Sequence, residues 1–382
     1  MKIGILTFHF SDNFGALMQA YSLRQWFLQN GHDAFFIPYH PVHVEEGGPF
    51  RGILSPVNFK RNLTILYMRI LNLWSKYFGD RKQRANFERF RLVHLGLSGS
   101  RCLTGDEVQQ FISNCAMLVC GSDQIWAPSV QYGVDPVYFL NFPGAENCRR
   151  ISYAASFGRS FLQPAYSEQV GSFLTGLDAI SVRESSGVEI VNQVSGREAL
   201  IVPDPTVLLG GFSGLIGEPS EVSNHLFCYA LRSDKIIRNV AVTVSSILNL
   251  SLISARNSRQ RWRDIGEGVS LGPEGWLEKL VTARFIVTNS FHGVALAVIY
   301  NKPFIAVSLP LGKESLNSRA INLLTSVGLM NRFLVKPDQG SIAALIQQEI
   351  DWAQVNDSLR KQRECAETYL FEQIEKTFGV EH

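Results

Sequence analysis

The sequence predicts an α/β protein made of two Rossmann-like domains that face a central cleft. Two observations carry that expectation. Short apolar runs such as residues 3–8 (IGILTF) and Phe285-Ile286-Val287 alternate with longer stretches of helical periodicity. Most of these runs deliver polar or charged residues at their carboxyl ends, as strands of doubly wound sheets do around a shared crevice. The length of 382 residues suits two domains of roughly 150–200 residues each.

The first unit is a βαβ. Residues 3–8 read as a buried parallel strand, and Ser11-Asp12-Asn13-Phe14-Gly15 as a turn. A helix follows from Ala16 to Asn30, with Ala16, Ala20, Leu23 and Phe27 on one face; Gly31 ends it, and residues 34–39 form the next strand. Such a crossover is right-handed. Similar strands recur at residues 117–120, running into Gly121-Ser122-Asp123-Gln124, and at 150–154, ending in Ser156-Phe157-Gly158. Residues 179–182 end in Arg183-Glu184, and 200–202 end in Pro203-Asp204-Pro205.

A glycine-rich stretch from Gly210 through Pro219 marks a domain boundary. Beyond it, 226–231, 251–254 and 303–307 read as strands, and 235–248 and 274–283 as helices. The expected division is therefore 1–210, 211–340, and C-terminal helices over 341–382 that pack back on the first domain. The last helix carries Val355, Leu359, Ala366, Leu370 and Ile374 on one stripe.

A helical insertion over about 51–101 breaks the alternation. It holds eleven Lys or Arg against only Asp80 and Glu88, interleaved with aromatic residues. Basic helices with aromatics lie on anionic membrane surfaces, while solvated helices packed on a Rossmann domain are the commoner alternative.

Composition narrows the class. Hydrophobic content of 46% and charged content of 18% describe an ordinary globular protein. A net charge of +2 gives no reason to expect nucleic acid. Six cysteines with no CxxC pair and no metal-like spacing read as buried, reduced thiols and point to the cytoplasm. The amino terminus has no secretory signal pattern and no run is apolar enough for a membrane span. No GxGxxG, Walker A, zinc or nucleophile-elbow motif is present.

The most informative stretch is RFIVTNSFHGVALAVIYNKPF, Arg284 to Phe304. A strand ends in Thr288-Asn289-Ser290, and His292 and Gly293 open a helix-compatible run. His292 then sits at the carboxyl edge of a parallel sheet and at a helix start, where free N–H groups attract anions. A titratable imidazole beside an anion site suits chemistry on a phosphorylated or carboxylated substrate; a His that only caps the turn is the competing reading.

Other strand-end groups divide by context. Arg183, after an apolar strand and before a helix, can pair bidentately with phosphate or carboxylate, or with a neighbouring acid. Asp204, between two prolines, reads as a turn residue. Asp12 and Asn13 precede a helix and can simply cap it. Arg256, Arg259, Arg261 and Arg263 with Trp262 read as an anion-binding flap or as wet surface.

With these residues assembled, the chain resembles the polysaccharide pyruvyl transferase family from residue 3 to about 335. The motifs are FHFSDNFGALMQAYSL, VCGSDQIWAP, ISYAASFG, ISVRE, VPDPTVLL, LGPEGWLEKLVTARFIVTNSFHGVALAVIYNKPF and NSRAINLL. The resemblance implies a GT-B-like fold, with the first domain on the acceptor side and the second on the donor side. It implies transfer from phosphoenolpyruvate onto a sugar as a cyclic pyruvate ketal, with phosphate released and neither cofactor nor metal required. The acceptor implied belongs to a cell-surface polysaccharide, such as an exopolysaccharide or capsule, or to its lipid-linked or nucleotide-linked precursor. Work at the inner face of the plasma membrane would follow.

The family pattern points to His292 as the acid and to Arg183 as an anion ligand. Asp123 is the candidate to hold or deprotonate the acceptor hydroxyl, with Asp12, Asn13 and Gln124 on the acceptor side. Ser290, Gly293, Arg319 and Arg232 complete the donor side. Other branches of the family place an Arg two residues before the His, where this chain has Ser290. Arg183, Arg232, Arg319 or the loop arginines then supply the charge, or Ser290 donates a hydroxyl hydrogen bond, a weaker contact than a bidentate Arg. A GT-B-type glycosyltransferase using a nucleotide sugar, and a catalytically silent binding protein on the same fold, are the competing functions.

Overall fold

Two six-stranded sheets, parallel throughout, organise the chain. The computed structural model describes residues 1–52, 55–97, 99, 101–217, 221–256, 264–310 and 314–378. The first sheet contains β1 (Lys2–Leu6), β2 (Asp33–Phe36), β3 (Met117–Asp123), β4 (Arg149–Ala155), β5 (Ser181–Val182) and β6 (Leu200–Ile201), in the order β2-β1-β3-β4-β5-β6. The second contains β7 (His225–Tyr229), β8 (Ser251–Ala255), β9 (Glu267–Val269), β10 (Phe285–Thr288), β11 (Phe304–Val307) and β12 (Phe333–Leu334), in the order β12-β11-β10-β7-β8-β9.

Each order reverses once, between β1 and β3 and between β7 and β10. Loops at such reversals diverge and leave a crevice at the strands' carboxyl ends. The first reversal presents the β1 loop and Asp123; the second presents the β7 loop and the turn that leads to His292.

Helices flank both sheets: α1 (Phe14–Gln29), α2 (Phe59–Phe78), α3 (Arg81–Leu95), α4 (Ser185–Ser195), α5 (Pro205–Leu209), α6 (Lys235–Leu248), α7 (Pro273–Thr282), α8 (Phe291–Ile299), α9 (Ser318–Ser326) and α10 (Trp352–Phe378). Asn13 caps α1 through its side-chain oxygen, which accepts from the Ala16 N–H at 3.2 Å. That contact starts the helix two residues before the sequence places it. The very short strands β9 and β12 escape the sequence reading because two or three residues carry no periodicity.

One apolar cluster runs through both halves. Phe14 stacks on Trp276 at 5.2 Å and meets Tyr229 edge-on at 5.7 Å. These contacts fix the start of α1 against α7 and β7, across the line between the sheets. The long α10 lies on the first sheet: the Tyr369 hydroxyl donates to the Ser152 carbonyl at 2.9 Å, and Arg149 Nη2 donates to Gln373 Oε1 at 2.6 Å. The cysteine expectation needs one correction. Cys102, Cys115, Cys120, Cys148 and Cys228 are buried, but Cys365 is exposed, because α10 packs along one face only.

Candidate active site

The carboxyl edges of the two sheets meet around a buried knot of charge. From the first sheet come Asp123 at the end of β3, Arg183 and Glu184 after β5, and Asp204 after β6. From the second come His292 in the first turn of α8 and Arg319 in the first turn of α9. Arg183, Glu184, Asp204, His292 and Arg319 are all less than a tenth exposed.

Arg183 is the hub. Its Nη1 donates to Asp204 Oδ2 at 2.6 Å and to Ser122 Oγ at 3.3 Å. Its Nη2 lies 3.7 Å from Asp123 Oδ1, and its Nε lies 3.7 Å from Glu184 Oε2. Both are ion-pair distances too long for hydrogen bonds. The guanidinium also sits 4.9 Å from the centre of the Phe291 ring, which Arg319 approaches at 5.8 Å. Phe291 therefore keeps the two cations apart with a surface that attracts both. Arg319 Nη1 reaches Asp123 Oδ1 at 3.5 Å, so one carboxylate lies loosely between two guanidiniums.

Asp123 has a left-handed backbone, with φ of 69°. Asp tolerates that conformation better than most residues, yet at a strand end it marks a locally costly geometry. Its effect is to turn the carboxylate out of the strand pleat toward the arginines.

Asp204 does two jobs. One oxygen accepts from the Thr206 N–H at 3.0 Å and the Thr206 hydroxyl at 2.9 Å, capping α5. The other takes Arg183 and the Ser122 hydroxyl, which donates at 3.0 Å, and lies 3.6 Å from His292 Nε2. Burial works against its ionisation, but His292, Arg183 and the Thr206 amide outweigh burial and hold the carboxyl well below the ordinary range. Burial likewise opposes the charge on Arg183, and Asp204, Glu184 and Asp123 more than offset it, raising its pKa. Arg319 is shifted down by burial and by Arg183, with Asp123 opposing.

His292 is seated by a close backbone approach. A Cβ built on Gly15 would lie 2.0 Å from its Nδ1, so only glycine at the start of α1 leaves room for the ring. On the other side, a Cβ on Gly293 would stand 2.4 Å from Thr288 Oγ1, and that hydroxyl also accepts from the Ser290 N–H at 3.1 Å. The two glycines let β10, α8 and α1 converge on the imidazole.

Four buried nitrogens in this knot make no hydrogen bond, Arg183 Nε and Nη2, Arg319 Nε and His292 Nε2, and neither does the carboxylate oxygen Glu184 Oε2. Buried donors are nearly always paired, so four together mark a place built to receive acceptors.

Of the residues singled out from sequence, Asp123, Arg183, Arg319 and His292 come together here. Ser290 and Gly293 line the same turn, and Ser290 is buried. Arg232 is exposed in the β7 loop, where Asn289 grips its backbone carbonyl at 2.6 Å. Asp12 pairs with Arg91 of α3 at 2.9 Å, and Asn13 is occupied as a cap. The Gln124 side chain packs under Gly158, where a Cβ would lie 2.4 Å from its Nε2. Arg256 pairs with Asp264 at 2.6 Å, while Arg259, Arg261, Trp262 and Arg263 lie outside the described residues. Asp204, Glu184, Phe291 and Gly15 are the members that sequence reasoning did not place in the site. The Asp204 position inside VPDPTVLL was visible, but its cap signal masked its second contact.

A cleft of about 1040 Å³ opens between α2, α3 and the β1 loop. None of the charged residues of the knot lines it. Asp12 does, and it stands three residues from Gly15, which touches His292.

A family model described as polysaccharide pyruvyl transferase matches residues 13–309. The chain belongs to that family. It is accordingly a transferase, and the match takes in every residue of the charged knot except Arg319. No curated protein sequence matches the chain. Among solved structures, a UDP-N-acetylglucosamine 2-epimerase from Rickettsia bellii is 8% identical with a TM-score of 0.50, covering 99% of this chain and 97% of its own. A UDP-GlcNAc 2-epimerase from Neisseria meningitidis bound to UDP-GlcNAc is 8% identical with a TM-score of 0.47, covering 98% and 100%. The glycosyltransferase SnogD from Streptomyces nogalater is 12% identical with a TM-score of 0.41, covering 98% and 99%. At such identities the likeness concerns the fold alone. The fold of this pyruvyl transferase family member is two-domain α/β and GT-B-like.

Proposed function

We propose that the protein transfers the pyruvyl group of phosphoenolpyruvate onto a sugar of a cell-surface polysaccharide or its lipid-linked precursor, closing a pyruvate ketal. The observation that carries this reading is the set of four buried nitrogens on Arg183, Arg319 and His292 that make no hydrogen bond. Phosphoenolpyruvate bears a phosphate and a carboxylate, two planar or tetrahedral oxygen groups that guanidinium forks suit.

The donor's charge competes with Asp123 for Arg183 and Arg319, whose present contacts to it are long, 3.7 Å and 3.5 Å. Binding the donor draws the guanidiniums away and frees the Asp123 carboxylate to accept a proton from the attacking sugar hydroxyl. His292, protonated at Nε2, gives its proton to the enol methylene, which becomes a methyl group. The carbon bearing the phosphate turns oxocarbenium-like, and the first hydroxyl adds to it. Orthophosphate leaves with the proton taken up by Asp123, and a second hydroxyl of the same sugar closes the ring as its own proton passes to His292 and restores the acid. Asp204, held ionised by its donors, lies 3.6 Å from His292 Nε2 and helps fix the ring's orientation.

Ser290 stands where other branches are expected to carry Arg, and Arg183 with Arg319 takes over that charge. No cofactor enters the scheme. An acceptor on a lipid carrier places the reaction at the cytoplasmic face of a membrane. The test is orthophosphate release from phosphoenolpyruvate in the presence of galactose- or mannose-type acceptors. Release that depends on acceptor and falls roughly 10²–10⁴-fold in His292→Ala is the expected result. Turnover unchanged in that variant ends the assignment of the acid.

A further inference from the structure

The helix α2 carries a feature that the charged knot does not use. Of its twenty residues only Ile65 is buried. Phe59, Leu63, Leu66, Ile70, Leu73 and Trp74 are between 47% and 69% exposed, and the helix ends in Tyr77 and Phe78, at 65% and 72%. At about 100° per residue these side chains fall within a single arc of roughly 140°. Lys60 lies at one edge and Lys76 roughly 60° beyond the other, both exposed, and no acidic residue occurs between Phe59 and Phe78. The start of α3 adds Arg81 and Lys82, also exposed.

We infer that α2 lies in the plane of an anionic lipid surface, apolar arc inward and lysines at the headgroups. Three points favour a lipid surface. Charge complementarity is the first: an apolar face edged by cations and free of acids matches a negatively charged interface. Orientation is the second. No helix among the described residues is long and apolar enough to cross a membrane, and α2, roughly 30 Å long, is of interfacial rather than spanning character. The third is continuity with the cleft. Ile70, Trp74 and Phe78 belong both to the exposed arc and to the wall of the 1040 Å³ cleft, whose far side holds Asp12 and Arg91. An acceptor whose lipid tail stays in the bilayer thus reaches past α2 into the cleft and toward His292 without leaving the surface. The inference deepens the acceptor half of the proposed reaction and rests on that reading for the acceptor's identity only.

The test compares the full-length chain with the variant Leu63→Glu, Leu66→Glu, Leu73→Glu, none of which lines the cleft. Co-sedimentation uses vesicles of phosphatidylcholine with and without phosphatidylglycerol. The inference expects binding that rises with phosphatidylglycerol, falls with salt, and weakens at least roughly tenfold in the variant. A second variant, Lys60→Glu with Lys76→Glu, loses the dependence on phosphatidylglycerol. Equal sedimentation of wild type and triple variant, or no binding by either, overturns the inference. So does light scattering that finds a wild-type dimer, a monomeric variant and no vesicle binding, because the face then belongs to a second copy of the chain. Orthophosphate release with a water-soluble sugar acceptor is measured on the same samples. Its absence alongside intact vesicle binding rejects the donor chemistry and leaves the surface standing; its presence without vesicle binding rejects the surface alone.

Discussion

The helices α8 and α2 are both rich in apolar residues and meet opposite fates. In α8, the first eight of nine residues are buried; in α2, one of twenty is. The sequence of α8, FHGVALAVI, is apolar on every side, and such a helix is stable only when surrounded. It is wedged among α1, α5, α7 and α9, at the junction of both sheets. The exposed apolar residues of α2 form a stripe that faces out, while Ile65, with Met68 and Leu71 half-buried, faces the protein. The contrast teaches that apolar content alone does not assign a helix to the core. Packing on all sides holds His292 of α8 in one place, whereas α2 can be altered on its outer face with little effect on folding.

That contrast sets the expected sizes of perturbations. The largest belongs to Arg183→Ala. Removing the hub leaves Asp204 and Glu184 buried without their cation, a change that costs about 3–5 kcal/mol in comparable buried pairs. Urea unfolding checks it; a midpoint equal to wild type would show that the knot is not a stabilised unit. Gly15→Ala acts on function before stability. The added Cβ displaces the His292 ring, and a shift near one ångström costs turnover about 10²-fold. Phosphate-release kinetics with full activity retained would mean that the ring position is not critical.

Acid sharpens the comparison next. The Asp204 carboxyl is depressed in the folded protein, so its contribution is fully present above the unfolded value of about 3.9 and is lost as pH falls below it. Stability measured from pH 6 downward is expected to drop steeply below about pH 4, and Asp204→Asn to flatten that drop. An identical acid profile in the variant contradicts the assignment. The smallest effect is expected on α2: Leu66→Glu changes stability by no more than about 0.5 kcal/mol, because the side chain is 47% exposed. A thermal shift several times that size would mean that the stripe is covered.

The architecture was readable from sequence because strands such as β10 are short, apolar and punctuated by polar turns, and helices such as Lys235–Leu248 carry clear periodicity. The residues at strand ends were also readable as a class. Their sorting was not. Arg183 and Arg232 look alike on paper, each following an apolar strand, yet one is buried in the knot and the other is exposed. The difference comes from which loops the sheet reversals bring together, a long-range outcome that local pattern does not encode. Asp204 illustrates a second obstacle. Its helix-capping contact to Thr206 explains the Pro-Asp-Pro signature completely, so nothing local announced that its other oxygen serves Arg183 and His292. The exposure of the α2 stripe was hidden for the same reason, since periodicity gives a helix two faces without saying which one meets the protein.

The most direct test of the central claim is a crystal structure of the protein soaked with phosphoenolpyruvate. The account predicts donor oxygens within hydrogen-bond distance of Arg183 Nη2 or Nε and of Arg319, the methylene carbon facing His292 Nε2, and Asp123 released from the guanidiniums. Phosphoenolpyruvate bound away from these groups, with the four buried nitrogens still lacking hydrogen bonds, would contradict it.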